Sequence, residues 1–232
     1  MTNGKDIWAV IPVKETAGAK QRLSASVPED LREELVLTML EDVVAAVAAV
    51  RELAGFALIT LDPKATEIAR RYGARILTDG ARNGHTGAVR ATARLLAAEG
   101  VGGMMQLPGD IPAITSAELT QVATLHREAP AFTIVPSHDE FGSNTVVVSP
   151  PNAVPLTFGD DSYFPHLRTA REYGIDPQTI RLPGIGRDID NGEDLAVFAA
   201  MCSPTRTQAF LNRSGFAEWG RTLSAKREQD GQ

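Results

Sequence analysis

The sequence predicts an α/β protein with a mixed, mainly parallel sheet. Short apolar runs rich in β-branched residues alternate with longer segments whose apolar residues recur at helical spacing. This is the pattern of βαβ units. The runs 131–137 and 144–149 follow each other closely enough to form a hairpin, so part of the sheet should be antiparallel. A chain of 232 residues, 43% of them hydrophobic, can bury a substantial core.

Strands and helices can be assigned in order along the first half of the chain. Apolar runs such as IWAVIPV and GFALIT predict strands at 7–13, 55–60, 75–79 and 103–108. Helical spacing of apolar residues predicts helices at 28–50 and 86–100. Between the second and third strands, Asp62 and Pro63 supply a cap and a first-turn proline for another helix. Gly73 ends that helix.

The second half continues the alternation. Helices are predicted at 116–128, 161–174 and 192–202, and a short strand at 179–183. No linker or repeat interrupts 1–202, so we expect one domain there. We expect 203–232 to be a tail, with one amphipathic helix within TQAFLNRSGFAEWGRTL and disorder over 224–232.

Composition and charge exclude several classes of protein. No apolar run reaches the roughly 18 residues of a membrane span. The N-terminus also lacks the features of a signal peptide, so we expect a cytoplasmic protein. The net charge of −6 comes without a run of lysine or arginine, which argues against a nucleic-acid surface. The single cysteine, Cys202, excludes an internal disulfide and a cysteine-cluster metal site, and we expect its side chain to be buried.

The segment GRDIDNGED places Asp188 and Asp190 on either side of Ile189, directly after a predicted strand. In an extended chain the two carboxylates share one face, while Ile189 turns toward the core. One interpretation is local, because Asp190 and Glu193 have the spacing of a helix cap and its partner. The other is a divalent cation, since Mg²⁺ prefers carboxylate oxygens. The capping interpretation leaves Asp188 without a role.

The loop after the first strand, VKETAGAKQRL, carries Lys14, Lys20 and Arg22 around Gly18. Three cations and a glycine at the entry to a helical region can hold a triphosphate. Neither a GxxxxGK[ST] nor a GxGxxG motif is present, which disfavours P-loop and dinucleotide-binding proteins. The alternative is that the loop is simply a solvated basic segment.

Asp110 follows the fourth strand inside the turn PGDIP. Two prolines and a glycine restrict the backbone, so the carboxylate is held at the edge of the sheet. It could cap only this turn. However, ligands of open α/β sheets bind beyond the carboxyl ends of the strands. Asp110, Asp188 and Asp190 would meet there, and three converging carboxylates favour bound cations.

Two further loops, FGSNTVV and FGDDSYFPHL, combine glycines with small hydroxyl residues. Such residues beside a helix start suit an anionic headgroup. Alternatively, Asp160, Asp161 or Ser162 only caps the helix and His166 is a structural histidine. The residues concerned are Gly142, Ser143, Asn144 and Thr145 in the first loop, and Gly159, Ser162 and His166 in the second.

Five segments together resemble the 2-phospho-L-lactate guanylyltransferase family of coenzyme F420 biosynthesis: IPVKETAGAKQRL, LPGDIPAIT, FGSNTVVVSP, FGDDSYFPHL and DIDNGEDL. The resemblance covers roughly residues 6 to 200. It implies a single-domain, Rossmann-like nucleotidyltransferase of the GT-A-like type. It also implies transfer of a guanylyl group from GTP to 2-phospholactate, phosphoenolpyruvate or 3-phosphoglycerate. A homodimer is one option for the assembly.

The resemblance implies roles for particular residues. Two Mg²⁺ ions would be bound by Asp110, Asp188 and Asp190. The triphosphate would be faced by Lys14, Lys20 and Arg22, which with Asp110 form the implied catalytic set. The nucleotide would further contact Pro12, Val13, Gly84, His85, Thr86, Pro108 and Gly109. The acceptor would be held by Ser143, Asn144, Thr145, Gly159 and Ser162.

One departure from the family pattern concerns the nucleoside. Family members usually carry a Leu-Asn pair where this chain has His85 and Thr86, which leaves the preferred base open. Two alternatives therefore stand beside a guanylyltransferase. One is another nucleotidyltransferase, with a molybdenum cofactor or sugar phosphate acceptor, although the GGxSxRMG pattern of the molybdenum enzymes is missing. The other is a catalytically silent nucleotide-binding protein.

Overall fold

A computed structural model describes residues 6–16, 18–24, 27–201 and 203–216. The strands in these segments are β1 (Ile7–Pro12), β2 (Gly55–Ile59), β3 (Arg75–Leu77), β4 (Gly103–Gln106), β5 (Ala131–Pro136), β6 (Ser143–Ser149) and β7 (Gln178–Thr179). The α-helices are α1 (Glu29–Ala48), α2 (Pro63–Arg71), α3 (Gly84–Ala98), α4 (Ser116–Leu125), α5 (Tyr163–Glu172), α6 (Gly192–Ala200) and α7 (Arg206–Arg213). A 3-10 turn covers Gln21–Leu23.

The strands form one sheet in the order β3-β2-β1-β4-β6-β5-β7. Neighbours pair in parallel except at β6, which is antiparallel to both β4 and β5. The predicted mixed, mainly parallel sheet is therefore confirmed. The pairing of Gln106 with Val146 brings the start of β6 beside the end of β4, so the polar residues that open β6 lie at the carboxyl edge of the parallel strands.

Apolar side chains cover both faces of the sheet. Alternation along β1 sends Val10 to one face and Ile11 to the other, and both are fully buried. The face of Ile11 packs against α1, α2 and α4, and the face of Val10 against α3 and α5. Burial of each such aliphatic side chain is worth about 1.5–3 kcal/mol, and this two-sided core fixes the strand ends that carry the polar residues.

A third apolar cluster joins α1 to α6 and α7, and Ile189 is buried in it. The inward orientation predicted for Ile189 is thus confirmed. The amphipathic helix expected beyond residue 202 is present as α7, and it packs on α1 through Phe210 and Leu211. Thr205 caps this helix by accepting from the N–H of Gln208, and the Asp42 carboxylate accepts from the N–H groups of Arg206 (2.9 Å) and Thr207 (2.8 Å). Residues 206–213 therefore share the core of the preceding chain.

Most predicted elements agree with the structure to within a few residues. Asp62 caps α2 by accepting from the N–H of Ala65, and Gly73 ends the helix with a φ of +82°. The strand predicted at 179–183 was wrong in extent, because only Gln178 and Thr179 pair with β5. The expectations for Cys202 and for 224–232 lie outside the described residues. No helix in the described segments is both long and apolar enough to cross a bilayer.

Candidate active site

A cavity of about 670 Å³ opens where β4 ends and β6 begins. Many of the residues predicted to act at the site line it, namely Arg22, His85, Pro108, Asp110, Ser143, Asn144, Gly159, Ser162, Asp188 and Asp190. The predicted convergence of loops at the carboxyl edge of the sheet thus holds for these residues.

Three aspartates meet on one side of the cavity. The N–H of Ile189 donates to the backbone carbonyl of Asp110 over 3.0 Å, which fixes the segment of Asp188 and Asp190 beside the β4 turn. Asn144 reinforces the arrangement, since its side-chain amide donates to Asp188 Oδ1 over 3.2 Å and to the carbonyl of Ile185 over 2.9 Å. The register of β6 therefore determines where the Asp188 carboxylate lies.

The predicted cap of α6 was wrong by one residue. Asn191 caps the helix, because its side-chain oxygen accepts from the N–H groups of Glu193 (2.8 Å) and Asp194 (3.2 Å). Asp194 reaches back and accepts from the N–H of Asn191 over 3.0 Å, which completes a capping box. The carboxylate of Asp190 is held by a lysine instead, so it is not needed to cap the helix.

That lysine is Lys20, whose ammonium lies between two of the aspartates. Its Nζ is 2.5 Å from Asp110 Oδ2 and 2.6 Å from Asp190 Oδ1. Burial by itself would favour the neutral amine, but Asp110 and Asp190 outweigh it and raise the pKa of Lys20 above its ordinary value. The backbone of Lys20 is left-handed, with a φ of +52°, which the two ion pairs help to hold.

Asp188 lies near the other two carboxylates without a cation of its own. Burial raises the pKa of its carboxyl group, and the neighbouring charges of Asp110 and Asp190 raise it further. In the described part of the chain, no three acidic, histidine or cysteine side chains stand in an arrangement that could bind a metal ion. Negative charge thus exceeds positive charge here, and Lys20 balances only part of it.

A second cluster of polar side chains lies at the start of β6 and of α5. The N–H of Ser143 donates to Ser162 Oγ over 3.0 Å, and the Ser162 hydroxyl donates to Ser143 Oγ over 3.2 Å. His166 Nδ1 lies 2.9 Å from Ser143 Oγ. Ser162 occupies the N-cap position of α5, as one interpretation predicts, but its side chain makes no capping hydrogen bond to the helix and serves this cluster instead.

Comparison with known proteins places this arrangement in a family. A sequence model described as "Guanylyl transferase CofC like" matches residues 7–229. The chain belongs to this family. A phosphoenolpyruvate guanylyltransferase of Rubrobacter xylanophilus is 34% identical over 192 residues, which cover 82% of this chain and 92% of the relative. A 3-phospho-D-glycerate guanylyltransferase of Colwellia psychrerythraea is 30% identical over 195 residues, which cover 84% and 92%.

Solved structures with low sequence identity share the fold of this chain. A putative nucleotide-diphospho-sugar transferase from Desulfovibrio desulfuricans G20 aligns with a TM-score of 0.72 at 16% identity, over 91% of this chain and 96% of that one. A 4-diphosphocytidyl-2C-methyl-D-erythritol synthase aligns with a TM-score of 0.60 at 14% identity, over 84% and 96%. The nucleotidyltransferase-like fold that the sequence predicts is therefore confirmed.

The predicted nucleotide-binding residues of this family member divide between two recesses. A small recess of about 20 Å³ beside the main cavity is lined in part by Pro12, Val13, Lys14, Gly84 and His85. Lys14 is exposed there, and among the described residues no partner holds its ammonium. On the main cavity, Arg22 makes a long ion pair of 3.9 Å with exposed Asp160. Both cations are thus available to a bound anion, whereas Lys20 is engaged.

Four of the predicted ligand-contacting residues line neither recess, namely Lys20, Thr86, Gly109 and Thr145. The side chain of Thr145 is fully buried, and its hydroxyl has no hydrogen-bond partner. The ladder is irregular at this point, because Val135 pairs with Thr145 and Pro136 with Ser143, which leaves Asn144 as an extra residue. Ser143 and Asn144 therefore both line the cavity, whereas Thr145 belongs to the regular, buried part of the strand. Gly109 packs below the turn, where a Cβ atom would lie 3.4 Å from Leu40 and 3.6 Å from Val13.

His85 and Thr86, the residues that depart from the family pattern, contact the loop that leads into α5. Thr86 Oγ1 accepts from the N–H of Phe158 over 2.9 Å, and the His85 ring meets the Phe158 ring edge-on at 4.6 Å. His85 Nε2 lies 3.1 Å from the side-chain amide of Gln106. Burial lowers the pKa of His85 to about 4, with Asp110 opposing and Lys14 adding to the shift, so the ring is neutral at pH 7.

Several residues of the cavity wall were missed from sequence. Gln106 and Phe158 line it, as does the hairpin loop between β5 and β6 through Ser137, His138 and Asp139. The loop had one usable signal, since a hairpin that begins its second strand at the site must also place its turn there. Gln106 had none, because a single polar residue in an apolar strand does not reveal which neighbour it meets.

The loop that carries the basic residues is anchored by an interaction that was also missed. Thr16 donates to Asp62 Oδ2 through its N–H (2.7 Å) and its hydroxyl (2.6 Å), while Asp62 Oδ1 accepts from Ala65 (2.9 Å). One carboxylate thus caps α2 and fixes the base of the loop. Although burial favours the protonated acid, these hydrogen bonds outweigh it and lower the pKa of Asp62.

Replacing Asp62 by alanine is expected to destabilise the protein by about 1–3 kcal/mol, because a cap and a buried acceptor are lost together. Since the folded-state pKa is lowered, this contribution is present above the unfolded-state pKa and is lost as the pH falls through the folded-state value. Thermal unfolding at pH 7 and pH 3 measures both effects. An equal deficit at the two pH values would contradict the assignment.

Proposed function

We propose that the protein transfers the guanylyl group of GTP to the phosphate of a small phosphorylated carboxylic acid and releases pyrophosphate. One observation carries the proposal: an aspartate trio, two of whose members pair with Lys20, shares a single cavity with a cluster of serine hydroxyls. The first group suits a nucleoside triphosphate and the second suits a small anion. Membership of the guanylyl transferase family supports the same reaction.

The reaction needs no general base. A phosphate oxygen of the acceptor attacks the α-phosphorus of GTP, the bond from that phosphorus to the bridging oxygen breaks, and pyrophosphate leaves with the electron pair. The attacking phosphate is already largely ionised at neutral pH, since its second pKa is about 6. Burial lowers the pKa of His166 to about 4, as it does for His85, so neither histidine is poised to exchange protons near pH 7.

The work of the protein is then to align two polyanions and balance their charge. We assign the triphosphate to Lys14, Lys20 and Arg22, of which Lys20 now neutralises Asp110 and Asp190. We assign the acceptor to Ser143, Ser162 and Gly159, with Asn144 holding Asp188 beside them. Thr145 is left out, because its hydroxyl is buried away from the cavity.

The aspartate trio has the donor chemistry of a magnesium site, although the three side chains as they lie in this structure do not form a cluster that could hold an ion. Its donors are all carboxylate oxygens, which hard cations prefer. Burial raises the pKa of Asp188, and the nearby charges of Asp110 and Asp190 add to the shift, so a bound cation would be stabilised here. Asp110, Asp188 and Asp190 would hold Mg²⁺, and a bound ion would supply charge neutralisation for the triphosphate. Because Lys20 occupies the space between Asp110 and Asp190, its ammonium competes with such an ion. We propose one or two ions here.

The names of the curated relatives guide the choice of acceptor. Those relatives act, by name, on phosphoenolpyruvate or on 3-phospho-D-glycerate, and the sequence resemblance adds 2-phospholactate. All three carry one phosphate and one carboxylate, so the same hydroxyl cluster and cations suit each of them. We place the reaction in coenzyme F420 biosynthesis and in the cytoplasm.

Incubation with GTP, Mg²⁺ and each of the three acceptors is expected to release pyrophosphate with at least one of them. A coupled phosphate assay measures the rate, and ATP, CTP and UTP in place of GTP test the preference for guanine. Omission of the acceptor gives the background. Tight binding of GTP without release of pyrophosphate for any acceptor would overturn the proposed reaction.

That outcome would favour the second candidate, a catalytically silent nucleotide-binding protein. The observation behind it is the substitution of His85 and Thr86 for the usual Leu-Asn pair, together with their engagement of Phe158. The complete aspartate trio speaks against it, because a protein that only binds nucleotide has no need of three converging carboxylates.

A further inference from the structure

His166 is buried next to the cavity but does not line it. The backbone N–H of Thr157 donates to His166 Nε2 over 3.1 Å. A backbone N–H can only donate, so Nε2 carries no proton and the neutral ring is protonated at Nδ1. His166 Nδ1 must therefore donate to Ser143 Oγ, which lies 2.9 Å away. The hydrogen-bond network alone thus fixes the tautomer.

This direction has a consequence for Ser143. Its oxygen accepts from His166 Nδ1 and from the hydroxyl of Ser162, so both of its lone pairs are occupied. The Ser143 hydroxyl hydrogen then has no acceptor within this cluster. Since Ser143 lines the cavity, the hydrogen is available to a group bound there. A hydroxyl that can only donate selects for an acceptor atom, such as a phosphate or carboxylate oxygen.

His166 also connects the two loops that carry the acceptor residues. One ring nitrogen binds the start of β6 through Ser143, and the other binds Thr157, two residues before Gly159. The Phe158 ring packs edge-on against His166, with the ring centres 5.0 Å apart. The imidazole therefore fixes the spacing of these two loops, and it also fixes the Ser143 hydroxyl as a donor toward the cavity.

We propose that His166 is a positioning residue that holds the Ser143 hydroxyl as an obligatory donor to an anionic oxygen of the phospho-acid. The inference rests on the proposed function for the identity of that ligand. It goes beyond that function by assigning a role to a residue that touches neither substrate, and by stating the direction of every hydrogen bond in the cluster.

A double-mutant cycle tests the proposal. His166→Phe and Ser143→Ala are each expected to raise the KM of the acceptor about 10-fold, the loss expected for a hydrogen bond to a charged group. The KM of GTP should stay within about 2-fold. The double variant should also be about 10-fold impaired, because His166 acts through the Ser143 hydroxyl. An impairment near 100-fold, meaning additive effects, would overturn the proposal.

Two conservative variants separate the roles of the ring nitrogens and serve if His166→Phe fails to fold. In His166→Asn the amide group can replace Nδ1 and donate to Ser143, whereas in His166→Gln the carbonyl can replace Nε2 and accept from Thr157. We expect the asparagine variant to keep the acceptor KM within about 3-fold of wild type. The glutamine variant should show the same rise in acceptor KM as His166→Phe. Rescue by glutamine alone would show that His166 acts only on the loop, against the proposal.

A spectroscopic measurement does not depend on turnover. Long-range ¹H–¹⁵N spectra of the imidazole of the full chain should show the Nδ1-protonated tautomer at pH 7, and phosphoenolpyruvate should shift the Nδ1 signal in wild type but not in Ser143→Ala. The Nε2-protonated tautomer would overturn the inference. If wild type binds phosphoenolpyruvate but releases no pyrophosphate, the proposed reaction is wrong. The role of His166 can then still be tested by the double-mutant cycle of His166→Phe and Ser143→Ala, with the Kd of phosphoenolpyruvate as the measured quantity.

Discussion

Replacing Asp188 by asparagine is expected to lower kcat/KM at least about 10³-fold, the loss that corresponds to several kcal/mol of charge stabilisation. Asparagine matches aspartate in size and can still accept the hydrogen bond that Asn144 donates. The substitution therefore removes a charge from the trio without disturbing the packing. Pyrophosphate release with the best acceptor measures the effect.

The same variant should be more stable than wild type at neutral pH in the absence of metal. Burial and the charges of Asp110 and Asp190 raise the pKa of Asp188 in the folded state. A raised pKa means that the folded state binds the proton more readily than the unfolded state. The associated stability is present below the unfolded-state pKa and is lost as the pH rises through the folded-state pKa. Asparagine does not ionise, so it avoids this loss.

Thermal unfolding in EDTA at pH 7.5 and pH 4 measures the difference, which should shrink toward the lower pH. Asp176→Asn is the matched control, because Asp176 is exposed and lies outside the cavity lining. It should change neither activity nor stability. Retained activity in Asp188→Asn would show that the trio does not serve the reaction.

Replacing Lys20 by methionine should give the second largest effect, a fall in kcat/KM of about 10²–10³-fold together with a loss of about 1–3 kcal/mol of stability. Breaking a fully buried ion pair costs more, but Asp110 and Asp190 are partly exposed and regain some solvation. Methionine is similar to lysine in length and, like lysine, carries a Cβ atom at this left-handed position, so the two side chains differ chiefly in charge. Chemical denaturation and steady-state kinetics measure the two losses.

The pH and metal dependence of this variant should identify the cause. In wild type the pKa of Lys20 is raised, so the ion pairs are fully formed at neutral pH and are lost only above the ordinary lysine range. In Lys20→Met, two neighbouring carboxylates repel each other, so its stability should recover as they are protonated at low pH. Mg²⁺ should also raise its melting temperature more than that of wild type, because the competing ammonium is gone.

Two control variants test whether the loss of charge at Lys20 is the cause. Lys20→Arg keeps the charge and should retain most of the stability. Lys64→Met removes a solvent-exposed partner of Glu33, 2.9 Å away, and should cost at most about 1 kcal/mol. If Lys20→Met were as stable as wild type at pH 7 and insensitive to Mg²⁺, the ammonium would not be balancing the aspartates.

Much of the fold could be predicted because its signals are local. Apolar runs, the cap at Asp62, the glycine at 73 and the hairpin all depend on residues close together in the chain. The placement of Asp110 followed from the same logic, since it lies in the turn after β4. Asp188 lies well beyond the end of β7 and is placed instead by Asn144 and by the hydrogen bond from Ile189 to Asp110. The predicted cap of α6 was wrong by one residue, because the neighbouring residues Asp190 and Asn191 are both of a type that caps helices well.

What the sequence by itself determined is the sheet, its helices and the set of acidic and hydroxyl residues that gather at one edge. The tertiary structure alone decided which partner each of them meets. Lys20 reaches Asp110 and Asp190 across 90 and 170 residues. His166 fixes Ser143 across 23 residues, and Asp62 holds Thr16 across 46. Local propensity acts over a few residues, whereas these pairs form only when packing of the whole core has brought the strand ends together.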